Sequence, residues 1–472
     1  MDVNEKICKA YDIRGVYKKD LDEDTFYKLG NAFTAYLGKT QNYKTSQNPK
    51  IVIGRDVRLS SRSLAEAFVR GVIDYGYDVL DIGEATTPMF IFAVAELKAF
   101  GGAMITASHN PAEYNGLKLV KEMAHWVGDD WVEDKELDEV CKIAQSDKPK
   151  IGNKKGETKS TSVSESYIDR VTSGFKKSRE MTIVVDASGG ATSLFLVKLL
   201  EKLGVDYIPL FFMPDGSFSK HSPNPALEES RIFAKEKIAQ LHADFGVIFD
   251  GDGDRMVLID ENSEVVRGDI AGCIIADSLM KSKSGGLILH DAVSTKMIGE
   301  YFSKKGISTK KVRVGHTFIK EEMEKLDADF AMELSTHYYF KSMHSAESAF
   351  YALRILLEAM NDNPTLTMSG LASKFAKYFS SGTINIPMKS RQEWGGIIDK
   401  IKEEYSDGRQ SFEDGISIEF ENKSGDGVSW WFNLRPSNTE PLIRLTMEAD
   451  NKELLEDKKN EVLKFVEEIT EK

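Results

Sequence analysis

The chain has 472 residues, 41% apolar and 29% charged, with 36 Gly and 12 Pro, a composition that excludes a collagen-like, mucin-like or largely disordered protein. At roughly 100 to 200 residues per domain, the length predicts about three or four domains. With 62 Lys and Arg against 75 Asp and Glu, the net charge of −13 excludes a broad nucleic-acid footprint, and any bound phosphate must meet locally clustered cations. In chain order, the N-terminus reads MDVNEKICKAYDIRG, without the apolar core of a signal peptide, and KAYDIRG sets Lys9, Tyr11 and Arg14 in a loop. No stretch approaches the ~18 apolar residues of a membrane span. Cys8, Cys141 and Cys273 are odd in number and far apart, with neither disulfide-framework nor zinc spacing, so a reducing cytoplasm is the expected compartment.

An internal repeat organises the first three quarters of the chain. Short β-branched strands at 51–56, 182–187 and 287–292 are each followed by a stretch with apolar residues at helical spacing, then Gly, then a second strand. Each copy next reaches a strand that ends in a polar loop: AFGGAMITASHNP at 99–111, ADFGVIFDGDGDR at 243–255 and ADFAMELSTHYYF at 328–340. Alternating strands and helices predict largely parallel sheets, which carry functional groups on the loops beyond the carboxyl ends of their strands. A Lys/Ser/Thr-rich stretch at 146–163 and a charged turn at 260–267 separate the copies. A helix is expected at about 346–360, and from 375 onward strand-like segments and a charged amphipathic helix predict a separate α+β domain.

The loops carry the chemistry. DGDGDR sets Asp250, Asp252 and Asp254 at alternate positions after a buried strand, where three carboxylates converge only around positive charge. Oxygen-only ligation, with Gly251 and Gly253 allowing a tight turn, points to Mg2+. The rival is a calcium loop with Glu261 at its twelfth position, but Arg255 stands where such a loop needs Gly, and apolar strands flank it in place of helices. In TASHNP, Ser108 is a presented hydroxyl or a plain turn residue, and it lacks the G-x-S-x-G setting of acyl-enzyme chemistry. Lys118 follows on the next strand-like segment. RPSNTEPLIRL offers Arg435, Ser437, Asn438, Thr439 and Arg444 as a phosphate cradle in a Pro-bounded turn.

Together, KAYDIRG, TASHNP followed by NGLK, DGDGDR, VGHTFIK at 314–320, the ELS of MELSTH and RPSNTEP resemble the α-D-phosphohexomutase family, most closely its phosphomannomutase/phosphoglucomutase branch. The resemblance covers nearly the whole chain. It implies three similar α/β domains with mixed, largely parallel sheets, at 1–155, 156–258 and 259–372, and a C-terminal α+β domain at 373–472, around a central cleft. It implies that Ser108 is carried as phosphoserine and exchanges phosphoryl groups with a hexose monophosphate through a hexose 1,6-bisphosphate, so that the 1-phosphate and 6-phosphate interconvert. In that scheme Asp250, Asp252, Asp254 and a Ser108 phosphate oxygen hold Mg2+, with Arg255 beside them. Lys118 and His109 are candidates for moving the hydroxyl proton, Arg14 and Tyr11 steady the transferred group, His316 is the branch's histidine, and Glu333 and Ser335 grip sugar hydroxyls. The expected partner is a phosphorylated hexose, neither nucleic acid nor membrane, and the expected state is a monomer or weak homodimer.

The sugar loop departs from the family's Gly-Glu-X-Ser-Gly-His: Met332 and Thr336 replace two glycines, which removes conformational freedom and adds side chains. Val293 stands where the branch carries a basic residue, with Lys296 nearby, and Glu347 stands for an Asp. The rival functions are a Mg-dependent sugar-phosphate phosphatase with an aspartate nucleophile, a phosphoglucosamine mutase and a catalytically silent sugar-phosphate-binding paralogue.

Overall fold

The computed structural model describes residues 3–9, 12–40, 49–122, 125, 136–146, 148–390, 393–421, 428–437 and 442–471. The chain packs as two compact units, Met1–Arg267 with Thr336–Ser369, and Gly268–Ser335 with Gly370–Lys472. Among the described residues no helix is long and apolar enough to cross a membrane.

The first unit contains two sheets built on one plan. In the first, strand Lys50–Arg55 lies between Asp78–Glu84 and Gly101–Ile105, all parallel, and Tyr114–Lys121 returns antiparallel beside Gly101–Ile105. In the second, Thr182–Asp186 lies between the parallel strands Asp206–Leu210 and Phe245–Phe249, and Met256–Asp260 returns antiparallel. Ile51, Val52 and Ile53 are buried, as are Ile183, Val184 and Val185, because a sheet with helices on its faces buries both sides of its central strands. Helix Ser61–Tyr75 ends at Gly76 with φ 115°, a left-handed cap that glycine supplies without strain. The unit also holds the hairpin Tyr338–Phe340/Ala346–Glu347 and helix Ala349–Asp362.

In the second unit, Leu287–Asp291 lies between Ser308–Val312 and Phe330–Met332, again parallel. The C-terminal part is antiparallel, in the order Phe379–Pro387, Leu442–Ala449, Val428–Pro436, Ile416–Glu421, Arg409–Ser411, with Leu455, Val462 and Val466 of helix Lys452–Glu471 in its core. Three similar α/β parts and an α+β part therefore make a four-domain architecture.

Each copy also contains a second helix before its loop-bearing strand, Thr87–Glu96, Ile232–Leu241 and His316–Leu326. Within the stretch read as a separator, Thr158–Ser160 forms a strand parallel to Asp78–Glu84. The cysteine reading is corrected: Cys8 and Cys141 form a disulfide, and Cys273 is free and buried. Their sequence separation of 133 carries no spacing signal, since folding alone brings helix Glu136–Ser146 to the N-terminal segment. The cysteines thus no longer argue for a reducing compartment.

Candidate active site

Loops 106–113 and 250–255 leave the carboxyl ends of Gly101–Ile105 and Phe245–Phe249 in the first unit and meet there. Ser108, 1% exposed, takes φ +50°, a left-handed conformation costing a non-glycine residue about 1 kcal/mol or more. Its Oγ donates to Asp250 Oδ2 at 3.0 Å and lies 3.1 Å from His109 Nδ1, while its amide donates to Thr106 Oγ1. Asp250, Asp252 and Asp254 are buried, and each offers an oxygen within 4.8 Å of the others. Gly253, at φ +74°, lets this loop turn, and its amide donates to Asp250 Oδ1 at 2.9 Å.

Three buried carboxylates at this spacing demand a cation. Lys118 meets part of the demand: its Nζ lies 2.9 Å from Asp252 Oδ2 and 2.6 Å from Asp254 Oδ2. Burial works against the Lys118 charge, but the two carboxylates outweigh it and hold the ammonium above its usual range. Burial and the other two aspartates push Asp250 up; burial works the same way on Asp254, where Lys118 prevails and holds it down. All-oxygen donors, with Asp252 Oδ1 and Asp254 Oδ1 both buried without a hydrogen-bond donor, suit a hard divalent cation. Glu261 takes no part in a calcium loop: it accepts from the Ser369 amide at 3.0 Å and from the Ser369 hydroxyl, and strands flank the triad.

Around this centre, Arg14 donates to Asn110 Oδ1 at 2.6 Å and to Asp12 Oδ2 at 2.7 Å. Burial, then Arg255 and Arg14, pushes the His109 imidazolium well below its usual range, leaving a neutral ring. Arg255 Nε donates to His337 Nε2 at 3.1 Å, and His337 Nε2 lies 3.6 Å from Asp254 Oδ1. Glu347 is buried with Oε2 unpartnered, and burial and Asp254 push its carboxyl up. Tyr11 lies outside the described residues.

Arg58 was not singled out in the sequence, yet it holds the serine loop. Its guanidinium donates to Ser108 O at 2.9 Å, Asn110 O at 2.7 Å, Pro111 O at 2.7 Å and Tyr114 O at 3.1 Å, and its fifth N–H goes to Asp56 Oδ2 at 3.1 Å. The Phe218 ring lies 5.0 Å beneath it. The one sequence hint is Asp56-Val57-Arg58 directly after an apolar strand, where paired charges enter a buried turn. His337 and Glu347 stood in the sequence only as motif positions without a role.

In the second unit, His316 opens helix His316–Leu326, and the amide of the preceding Gly315 donates to Glu333 Oε1 at 3.1 Å. Glu333 is buried and Ser335 exposed. Met332 turns into the core against helix Gly268–Leu279, where a Cβ on Gly272 would stand 2.5 Å from its Sδ, so its side chain is not added to the sugar loop. Thr336, in the first unit, takes φ +72°, so the backbone keeps the turn a glycine would make, under strain. Val293 is buried, and Lys296 pairs with Glu419.

Arg435 and Arg444 stand directly opposite each other on adjacent strands, with Asp414 Oδ2 3.8 Å from Arg435 Nε. Like charges facing across strands repel, and Asp414, close enough to act on both guanidiniums, offsets part of that repulsion. Ser437 is buried, its amide donating to Leu442 O at 2.8 Å. Asn438 and Thr439 lie outside the described residues.

Comparison with known proteins identifies the family. Residues 5–139, 165–264 and 267–378 match the family descriptions phosphoglucomutase/phosphomannomutase alpha/beta/alpha domains I, II and III, and 384–465 matches the C-terminal domain. The chain is 37% identical over 461 residues to a phosphomannomutase of Methanocaldococcus jannaschii, covering 98% of this chain and 97% of that one. It is 33% identical over 474 residues to a phosphomannomutase of Vibrio cholerae, covering 98% of each. A crystal structure of a phosphoglucomutase/phosphomannomutase family protein from Burkholderia thailandensis superposes with a TM-score of 0.86 at 26% identity, covering 98% of each chain. The chain belongs to the phosphoglucomutase/phosphomannomutase family, isomerases that work by phosphoryl transfer.

Proposed function

We propose that the chain interconverts the 1-phosphate and 6-phosphate of a hexose, mannose or glucose, through phosphoserine at Ser108 and a hexose 1,6-bisphosphate. One observation carries the reading: a buried serine hydroxyl lies 3.0 Å from the first of three clustered aspartates. The bond from phosphorus to Ser108 Oγ breaks as one forms to a sugar hydroxyl, whose proton leaves to a nearby base. Ser108 Oγ takes up a proton as it leaves; after the bisphosphate reorients, Ser108 Oγ gives up that proton and takes the other phosphoryl, whose bond to the sugar oxygen breaks, and that oxygen takes a proton. Asp250, Asp252 and Asp254 would hold Mg2+, which neutralises charge on the transferring phosphoryl oxygens.

His109, within hydrogen-bond reach of Ser108 Oγ, is assigned to the serine's proton. Lys118, expected to move a proton, is held as an ammonium by Asp252 and Asp254 and is assigned instead, with Arg14 and Arg255, to negative charge on the phosphoryl group, with Tyr11 beside them. His316, Glu333 and Ser335 are assigned to sugar hydroxyls. Arg435, Ser437, Asn438, Thr439 and Arg444 are assigned to the phosphate that is not being transferred. In place of the expected bounds 1–155, 156–258 and 259–372, we further propose that the first domain runs on through strand Thr158–Ser160, which pairs in the first sheet, and the second through strands Met256–Asp260 and Val265–Val266, with the last domain at 373–472; and that the protein acts in the cytoplasm as a monomer or weak homodimer.

Mannose 1-phosphate, glucose 1-phosphate and glucosamine 1-phosphate are compared in a coupled assay with a trace of bisphosphate. Expected are conversion without release of inorganic phosphate, the amino sugar slowest, one phosphoryl group on the purified protein by mass, and loss of turnover in Ser108→Ala. Stoichiometric phosphate release means a phosphatase, and full turnover by Ser108→Ala ends the serine mechanism.

A further inference from the structure

Helix Thr87–Glu96 begins at the aspartate triad. Thr86 caps it, Oγ1 accepting from the Met89 amide at 3.2 Å, and Pro88 follows in the first turn, where a missing N–H leaves no helical hydrogen bond unmade. Between them Thr87 is wholly buried. Its amide donates to the Asp252 carbonyl at 2.9 Å and its hydroxyl to Asp252 Oδ2 at 2.6 Å, so a residue packed with the first sheet grips the metal loop of the second by main chain and side chain together. The loop has little room to shift, since a Cβ on Gly253 would stand 2.5 Å from Thr192 Cγ2 and 3.1 Å from Thr86 Cγ2.

The two oxygens of Asp252 are therefore unlike. Oδ2 takes two donors, the Thr87 hydroxyl and the Lys118 ammonium at 2.9 Å, whereas Oδ1, also buried, takes none. Lys118 is shared, because its Nζ lies closer still to Asp254 Oδ2, at 2.6 Å. Thr87 commits its one hydroxyl proton to Asp252, from a β-branched side chain that is stiff at χ1. A carboxylate with one oxygen engaged and the other bare offers a cation a single ligand atom. That suits Mg2+, which demands near-ideal octahedral geometry, and handicaps Ca2+, which tolerates irregular geometry and takes carboxylates through both oxygens.

We propose that Thr87 is a positioning residue that holds Asp252 as a one-oxygen ligand and so sets the preference of the triad for Mg2+ over Ca2+. The inference rests on the metal reading given under the proposed function and adds to it a residue outside the metal loop, which acts through Asp252 alone.

The test is calorimetric titration of the full-length protein at pH 7 with Mg2+ and, separately, with Ca2+, on wild type, Thr87→Val and Thr87→Ser. Valine keeps the shape and removes the donor, and serine keeps the donor. Thr87→Ala, which fits the space threonine leaves, is run beside them so that the comparison stands if the valine variant does not fold. Loss of an outer hydrogen bond to a ligand weakens metal binding about 10–100-fold, so Thr87→Val is expected to bind Mg2+ at least tenfold more weakly than wild type. Its Ca2+ affinity is expected to stay within about threefold of wild type, because the freed Oδ2 becomes a second ligand atom that Ca2+ accepts. Thr87→Ser is expected to resemble wild type toward both ions. In the coupled mutase assay, half-saturating Mg2+ rises in Thr87→Val, while kcat at saturating Mg2+ changes far less. Unchanged Mg2+ affinity in Thr87→Val overturns the proposal. An equal loss for both ions also overturns it, since that marks general damage to the loop. Uptake of neither ion by wild type ends the metal reading, and this inference with it.

Discussion

Replacing Arg58 by glutamine removes a guanidinium whose five N–H groups are all engaged inside the protein, four on carbonyls of loop 108–114 and one on Asp56. Asp56 is 1% exposed and keeps Thr106 Oγ1 at 2.7 Å and the Ser61 hydroxyl, but loses the cation that offsets its burial. Breaking a buried pair from one side costs about 3–5 kcal/mol, and each carbonyl left dry adds about 1–3 kcal/mol unless the loop opens to water. Because Ser108 is held at φ +50°, the loop relaxes once the clamp goes, and the hydroxyl leaves its place beside Asp250. A displacement of about 1 Å at a reacting group costs on the order of a hundredfold in kcat. Urea unfolding and the coupled mutase assay are run on wild type, Arg58→Gln, Asp56→Asn and the double variant. Expected are a loss of at least ~3 kcal/mol in Arg58→Gln, a kcat about a hundredfold lower, and a double variant more stable than the sum of the singles by at least ~1 kcal/mol. Arg58→Gln within 1 kcal/mol of wild type (about the error of such measurements) with unchanged kcat refutes the clamp.

Thr336→Gly is expected to raise stability by about 1 kcal/mol, because glycine takes φ +72° without strain; a loss of stability shows that the threonine side chain is needed. Cys141→Ser opens a loop spanning 133 residues and is expected to lower unfolding free energy by up to about 5 kcal/mol, and intact mass before and after reductant checks that the bond exists. Burial, then Glu333, pushes Asp291 up to about 7. Between pH ~4 and ~7 the folded chain keeps this proton while the unfolded chain releases it, so stability falls as pH rises across that window, by up to about 4 kcal/mol. Asp291→Asn is expected to flatten that slope in urea midpoints measured from pH 4 to 8, and an unchanged slope refutes the assignment. Asp252→Asn is expected to weaken Mg2+ binding by at least tenfold in titration calorimetry, whereas equal affinity removes the triad from the metal site.

The repeat was legible because strand and helix periods are local and three copies reinforce one another, which also located the three loops. The second helix of the first copy was not, because TPMFIFAVAE is apolar nearly all round and has no polar face to set a period of 3.6. The aspartate cluster was readable because its residues are near neighbours in the chain. The Lys118 ion pair joins residues 134 and 136 apart, and the Arg58 clamp joins residues 50 to 56 apart.

That difference is physical. A charged side chain has no sequence mark for burial, since burial depends on partners that other elements deliver. Lys118 becomes buried because its strand pairs antiparallel with Gly101–Ile105, setting it opposite Met104. Arg58 becomes buried because the turn after Lys50–Arg55 meets the bend after Gly101–Ile105, two strands adjacent in the sheet but separated by a helix, a strand and another helix in the chain. The same reasoning explains the sugar loop. Losing two glycines looked like a loss of freedom at the ligand, yet Met332 spends its side chain on the space above Gly272, and Thr336 alone bears the strained turn. On the proposed function, a change of hexose preference is expected from Thr336, which bears the turn, and not from Met332, whose side chain packs on Gly272. Thr336→Gly is the variant in which preference for mannose over glucose 1-phosphate is expected to shift, while Met332→Leu is expected to leave it unchanged.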